Sequence, residues 1–214
     1  TITHFWLGRR EYSKIWNFQK TLHSMIKNES LNDLVLYLEH DNVYTLGKNS
    51  NSDHILPSSP PNIEIIQSDR GGDVTYHGPG QLVGYPILNL NNYTKSISWY
   101  MRSLEEVIIL VLNGLDISSS VKDGQPGVWI EDEKICAMGV RMAQWTTMHG
   151  FALNVHPNLD YFDGMIPCGI FEYGVTSIFK QINKKLEVSK IANTISINID
   201  LIFSNNYNIM LKEC

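Results

Sequence analysis

Arg70-Gly-Gly-Asp-Val-Thr-Tyr-His-Gly-Pro-Gly-Gln-Leu-Val-Gly-Tyr-Pro86 joins a glycine turn to strand-like segments carrying alternate polar side chains. Five glycines and two prolines among these seventeen residues set a tight path, because glycine permits positive φ and close backbone approach to a ligand while proline pre-sets its own φ. Arg70, Thr75, Tyr76, His77 and Gln81 are interleaved donors and acceptors. The stretch reads as a small-molecule site between strands.

Working outward, residues 63–67 form a strand feeding the turn and residues 82–90 a strand leaving it, so the two are expected to pair around the signature. Upstream, Tyr12, Ile15, Trp16, Leu22, Met25 and Ile26 recur at helical spacing and predict an amphipathic helix over 11–27. Strands follow at 34–38 and 43–47, and the Asn/Ser/Pro-rich segment 49–62 reads as a surface loop. Downstream, 96–115 is the longest helix candidate, and 127–131, 134–142 and 146–155 read as an antiparallel meander. The tail from 189 to 203 reads as helical, against its many β-branched residues. Helices and strands alternate unevenly, which predicts an α+β chain with a mixed β-sheet flanked by helices rather than a doubly wound parallel sheet.

The chain has 214 residues, 43% of them hydrophobic and 18% charged, which suits one domain over residues 1–214. A net charge of -5 and no basic run argue against nucleic acid as a partner. The longest apolar run, Val107 to Leu112, is far short of the roughly 20 residues that span a bilayer, so no membrane partner is expected. The N-terminus lacks the basic and apolar regions of a secretory signal. Cys136, Cys168 and Cys214 form neither a disulfide framework nor a CxxC pair, so neither a metal nor another cofactor is expected, and the default compartment is a cytoplasmic one.

Cys168 lies in Pro167-Cys-Gly169, where proline restrains the approaching backbone and glycine lets an amide approach a developing oxyanion. Such a thiol is either an exposed nucleophile or a small buried hydrophobe. Lys134, likewise, is either a solvated side chain or the cation that activates that thiol. A free thiol with a pKa of about 8.5 is only a few per cent thiolate at neutral pH, and lowering it by about two units takes roughly 2.7 kcal/mol. A cation about 4 Å away at an effective dielectric near 20 supplies up to about 4 kcal/mol before desolvation. One lysine therefore suffices. Strict alternation along 134–140 would put Cys136 on the face of Lys134, either as a rival thiol or, since it lacks the Pro-Cys-Gly setting, as a packing residue. His77 and His149, each in a polar, glycine-flanked segment, are either rival bases, as in a Cys–His arrangement, or supports that orient the backbone or close the pocket.

Beyond the glycine signature come Lys134-Ile-Cys-Ala-Met-Gly-Val-Arg141, His149-Gly-Phe-Ala-Leu-Asn154 and Pro167-Cys-Gly169. In this order, and with Glu39-His40 and Val43-Tyr-Thr-Leu-Gly47 upstream, they resemble the lipoyl(octanoyl) transferases. The resemblance covers most of the chain apart from the tail. It implies the biotin/lipoate transferase–ligase (class II synthetase-like) fold, with an acyl-thioester on Cys168 assisted by Lys134. It further implies an acyl chain held by Arg70, Gly71, Gly72, Asp73, Val74, Thr75, Tyr76 and His77, by Ala137, Met138 and Gly139, and by Gly150, Phe151 and Ala152. Val74, Leu82, Val140, Phe151 and Leu153 are the candidate apolar lining. The implied reaction moves an octanoyl group from acyl carrier protein to a lysine of a lipoyl domain, in a 2-oxoacid dehydrogenase E2 subunit or the glycine cleavage H protein, as the first step of protein lipoylation. Arg9, Arg10, Arg70 and Arg141 are the candidates for a basic patch receiving such acidic partners. Two rival functions stand beside this one. An ATP-dependent lipoate–protein ligase would carry a His-Asp pair where this chain has Tyr76-His77-Gly78, and a non-catalytic acyl-binding module would have no use for Cys168 and Lys134 together.

Overall fold

A computed structural model describes residues 1–166 and 173–204. Cys168 and Cys214 lie outside the described residues. In chain order the elements are β1 (Thr3–Arg10), α1 (Tyr12–Lys27), β2 (Leu34–His40), β3 (Val43–Leu46), β4 (Glu64–Gln67), β5 (Val74–His77), β6 (Gln81–Ile87) and α2 (Ile97–Asn113). Then come β7 (Ser120–Lys122), β8 (Gln125–Ile130), β9 (Glu133–Ala143), β10 (Thr146–Asn154), β11 (Gly174–Val175), α3 (Ile178–Ile182) and α4 (Val188–Phe203).

The main sheet runs β1-β2-β6-β10-β9-β8-β7, with β11 added on β9. It is mixed: β1 lies parallel to β2 and β11 parallel to β9, and the other pairs are antiparallel. The parallel β1–β2 pair requires a crossover, which α1 supplies. A smaller sheet, β4-β3-β5, stands apart from it. The strands on either side of the glycine turn are therefore not partners of one another, contrary to the sequence expectation. β4 and β5 both pair with β3, and β6 belongs to the main sheet. The polar alternation of 74–77 is a strand in its own right.

Helices cover both faces of the main sheet. On one face α2 and α4 bury Leu104, Val107, Ile108, Ile195 and Ile199 against Val128, Ile135 and Leu153. Ser96 caps α2, its Oγ accepting the Trp99 N–H. In α4 the low helix propensity of isoleucine is overridden by a stripe at Ile191, Ile195, Ile199 and Ile202, all buried. On the other face α1 lays Ile15, Leu22 and Ile26 on Leu36, Leu38, Tyr85 and Ile87. That face is shared with the small sheet, whose own core is Tyr44, Val74, Tyr76, Phe162 and Met165. Among the described residues, no helix is long and apolar enough to cross a membrane.

Candidate active site

A cavity of about 340 Å³ lies on the main-sheet face beside α1, roofed by the small sheet and the glycine turn. Its floor is made of small side chains in register. Val83 opposes Ala152, which opposes Ala137, and one pleat further Gly150 opposes Gly139. The pleat sends these residues to one face and Leu82 and Leu153 to the other, where they join the helix-side core. The expectation that Leu82 and Leu153 line a tunnel is thus corrected, and Val83 and Ala152 take their places.

The roof is held by the turn itself. The Gly71 N–H donates to Val140 O at 3.0 Å, and a Cβ on Gly139 would stand 2.7 Å from Gly71 O. Only glycine lets β9 and the turn come this close. The Arg70 guanidinium is buried and donates to Thr45 Oγ1 at 3.0 Å, Gly71 O at 3.0 Å, Thr45 O at 2.5 Å and Asp73 O at 2.6 Å. It cross-links the turn to β3 while still bordering the cavity. Asp73 Oδ1 accepts the Val74 N–H and Oδ2 pairs with His54 Nδ1 at 2.6 Å. Thr75 and His77 face the cavity; Tyr76 points the other way, stacked on Tyr161 with its O–H donated to Asn42. Of the residues the resemblance assigns to acyl binding, Tyr76 is the one that does not line it.

Lys134 stands at one end of the floor, buried, with Nζ 4.6 Å from the Trp129 ring centroid. The ring's negative face suits an ammonium ion. Lys134 is flanked in register by Trp129 on β8 and Val175 on β11. Between these pairs and the next, Val128 opposite Cys136, β9 holds one extra residue, Ile135. This β-bulge breaks the alternation. Cys136 therefore joins Ile135 in the helix-side core instead of sharing the face of Lys134, and burial pushes its thiol pKa up. The rival-thiol reading is corrected on both counts. Gly127, at φ +124°, faces the bulge, where a Cβ would stand 2.4 Å from Cys136 O. Its N–H donates at 3.0 Å to the buried carboxylate of Glu105.

The opposite end is ringed by Tyr12, Tyr85 and His149. His149 Nε2 is 2.7 Å from Asp69 Oδ1, and Asp69 also pairs with Arg141. Burial pushes His149 below the usual imidazole range, and the hydrogen bond from His149 leads the causes that hold the Asp69 carboxyl down at about 2. A neutral His149 donating Nε2–H leaves Nδ1 buried and without a hydrogen-bond partner. His77 is locked from both sides, Nδ1 against Gln81 Oε1 at 2.8 Å and Nε2 against Thr45 Oγ1 at 3.4 Å.

Residues 11–199 match the family model of the lipoyl protein ligase A/B catalytic domain. The Octanoyltransferase of Cytophaga hutchinsonii is 40% identical over 220 residues, covering 92% of this chain and 90% of that protein. The chain belongs to the octanoyltransferase family. Two solved structures show the family's fold. P. falciparum LipL1 in complex with lipoate superposes with a TM-score of 0.76 at 12% identity, covering 96% of this chain and 63% of that longer one. Biotin protein ligase from Aquifex aeolicus gives 0.56 at 13% identity, covering 99% and 73%. The mixed sheet flanked by helices is thus the expected transferase–ligase fold.

Some of the candidate site was hidden from sequence reading. Tyr12, Val83 and Tyr85 line the cavity, as do Ile97, Met101 and Pro126. Trp129 lay in the expected meander, yet only its pairing with Lys134 gives it a role. The expected basic patch takes a different form: Arg70 is buried, Arg141 is paired with Asp69, and Arg9 lies 3.3 Å from Asp41.

Proposed function

We propose that this chain is a cytoplasmic acyltransferase that takes an octanoyl group from acyl carrier protein and passes it to a lipoyl-domain lysine through a thioester on Cys168. The observation that carries the reading is Lys134: a buried ammonium over an aromatic ring, at the head of an apolar groove floored by Val83, Ala137, Ala152, Gly139 and Gly150. The chain beyond the Cys168 segment returns to the same place, since Val175 is the register partner of Lys134 and the Thr176 N–H donates to Lys134 O at 3.1 Å.

In the first step the Cys168 thiolate attacks the donor thioester, and the Lys134 ammonium gives its proton to the departing pantetheine thiol. The acyl-enzyme then holds a neutral Lys134. As the acceptor lysine attacks, that amine takes its proton and the thiolate–ammonium pair is restored, so the proton count closes without another base. Thioester exchange is close to isoenergetic and amide formation is downhill, so the cycle needs no ATP.

Intact-protein mass spectrometry after incubation with octanoyl-acyl carrier protein, without ATP, tests the reading on wild type and Cys168→Ser. A single octanoyl adduct absent only from Cys168→Ser is the expected result. No adduct on wild type, with transfer appearing only on addition of ATP and free acid, would overturn it in favour of a ligase.

A further inference from the structure

The groove that starts at Lys134 is closed at its far end by hydrogen-bonded rings. On β6 the residue facing the groove after Val83 is Tyr85, which brings its ring to the level of Gly150 and Gly139, where the floor has no side chains. The Tyr85 O–H donates to His40 Nε2 at 2.8 Å, and its ring meets His149 edge-on at 6.4 Å between centroids. Tyr12 stacks on His77 at 5.8 Å and donates its O–H to Ser68 Oγ at 3.2 Å. Beyond these rings α1 covers the sheet, with Gln19 Oε1 accepting the His149 N–H at 3.0 Å. Each ring is tied from behind, so none turns aside without losing a hydrogen bond.

We infer that Tyr85, backed by Tyr12 and His149, is the residue that limits the acyl chain to eight carbons. The inference rests on the octanoyl-transfer reading above. The seven carbons beyond an octanoyl carbonyl span roughly 9 Å when extended, from C–C bonds of about 1.5 Å. Along β9, Ala137 and Gly139 are about 7 Å apart, and the Lys134 side chain leans towards them, its Cδ 3.6 Å from where a Cβ on Gly127, the register partner of Ala137, would stand. A chain whose carbonyl lies by the Lys134 ammonium ends over the Gly139–Gly150 row, against Tyr85. Up to that row each methylene leaves water for an apolar groove, worth roughly fourfold in affinity. Past it, two further carbons must displace a hydrogen-bonded ring in a packed wall.

Calorimetric titration of straight-chain carboxylates from six to fourteen carbons into the full chain tests this without requiring thioester chemistry. Wild type is expected to bind octanoate best, with decanoate at least tenfold weaker. Tyr85→Leu is expected to move the optimum to ten or twelve carbons, Tyr85→Phe to keep it at eight, and Ala152→Val to move it to six. Affinity rising steadily through twelve carbons in wild type would overturn the inference, as would an optimum that stays at eight in both Tyr85→Leu and Tyr12→Leu. If Tyr85→Leu melts below the assay temperature, Tyr12→Leu and Ala152→Val carry the test. An eight-carbon optimum with no mass adduct on Cys168 would refute the covalent mechanism and leave the wall standing.

Discussion

Lowering the pH from 7.5 to 4.5 protonates His40 in the unfolded chain while the folded chain resists that proton. In the fold, Nδ1 lies 2.8 Å from Arg10 O and Nε2 accepts the Tyr85 O–H at 2.8 Å, so the neutral ring is satisfied at both nitrogens. Burial pushes its pKa from 6.5 down to about 4. A folded value below the unfolded one means that the stability is fully present above about 6.5 and is lost as pH falls towards 4. At about 1.4 kcal/mol per unit, the loss by pH 4.5 is about 3 kcal/mol, a large part of a typical 5–15 kcal/mol total. Burial also depresses His77 and His149, which act in the same direction. Asp69, held down at about 2, acts outside this window, since its contribution persists until pH falls below the ordinary carboxylate range. Urea unfolding of wild type and His40→Gln, followed by tryptophan fluorescence, isolates the one ring. The variant is expected to be less stable at pH 7.5, and the gap between the two proteins is expected to shrink by about 3 kcal/mol at pH 4.5, roughly 1 M or more in midpoint. An equal gap at both pH values would refute the argument.

Lys134→Met is expected to slow single-turnover loading of the octanoyl group by about 10² to 10⁴, the usual range for a positioned proton donor; loading at the wild-type rate would remove Lys134 from the mechanism. Cys136→Ser is expected to keep the acyl adduct and its rate while costing about 1–3 kcal/mol in urea melts, because a hydroxyl replaces a thiol in the helix-side core. Loss of the adduct in that variant would return Cys136 to the reaction. In Gly139→Ala the new methyl would stand 2.7 Å from Gly71 O, so the turn must lift off β9. Octanoate affinity is expected to fall at least tenfold by calorimetry, and unchanged affinity would show that the turn is not held where the argument needs it.

The parts of the fold readable from sequence were those long enough to show a period. Helices α1 and α2 and the β8–β10 meander repeat at 3.6 or 2.0 over several turns or pleats, and all form close to where the pattern puts them. By contrast β7, β11 and α3 hold three, two and five residues, too few to reveal a period. The loop 49–62 reads as surface from its composition, yet Ile55 bridges Met165 and His54 O accepts the Ile166 N–H at 2.8 Å. Composition reports the polarity of a segment and nothing of what its backbone meets. The glycine signature marked the site, but whether Arg70 faces a ligand or braces the turn depends on Thr45, twenty-five positions away.

The displacement of Cys136 shows most directly how local geometry governs the chemistry. Alternation from Lys134 counts Cys136 onto the same face, which would leave the proposed nucleophile open between it and Cys168. One extra residue, Ile135, reverses that outcome, because every position after a bulge changes face relative to those before it. The trace of the bulge in the sequence is on the partner strand: Gly127 stands inside a strand where glycine is otherwise disfavoured, and the backbone of Cys136 fills the space a side chain would need. Glu105 then fixes that glycine's amide from α2. A helix, a glycine and an inserted residue together turn the lysine toward the groove and the neighbouring cysteine away from it, so the bulge decides which of the two faces the groove.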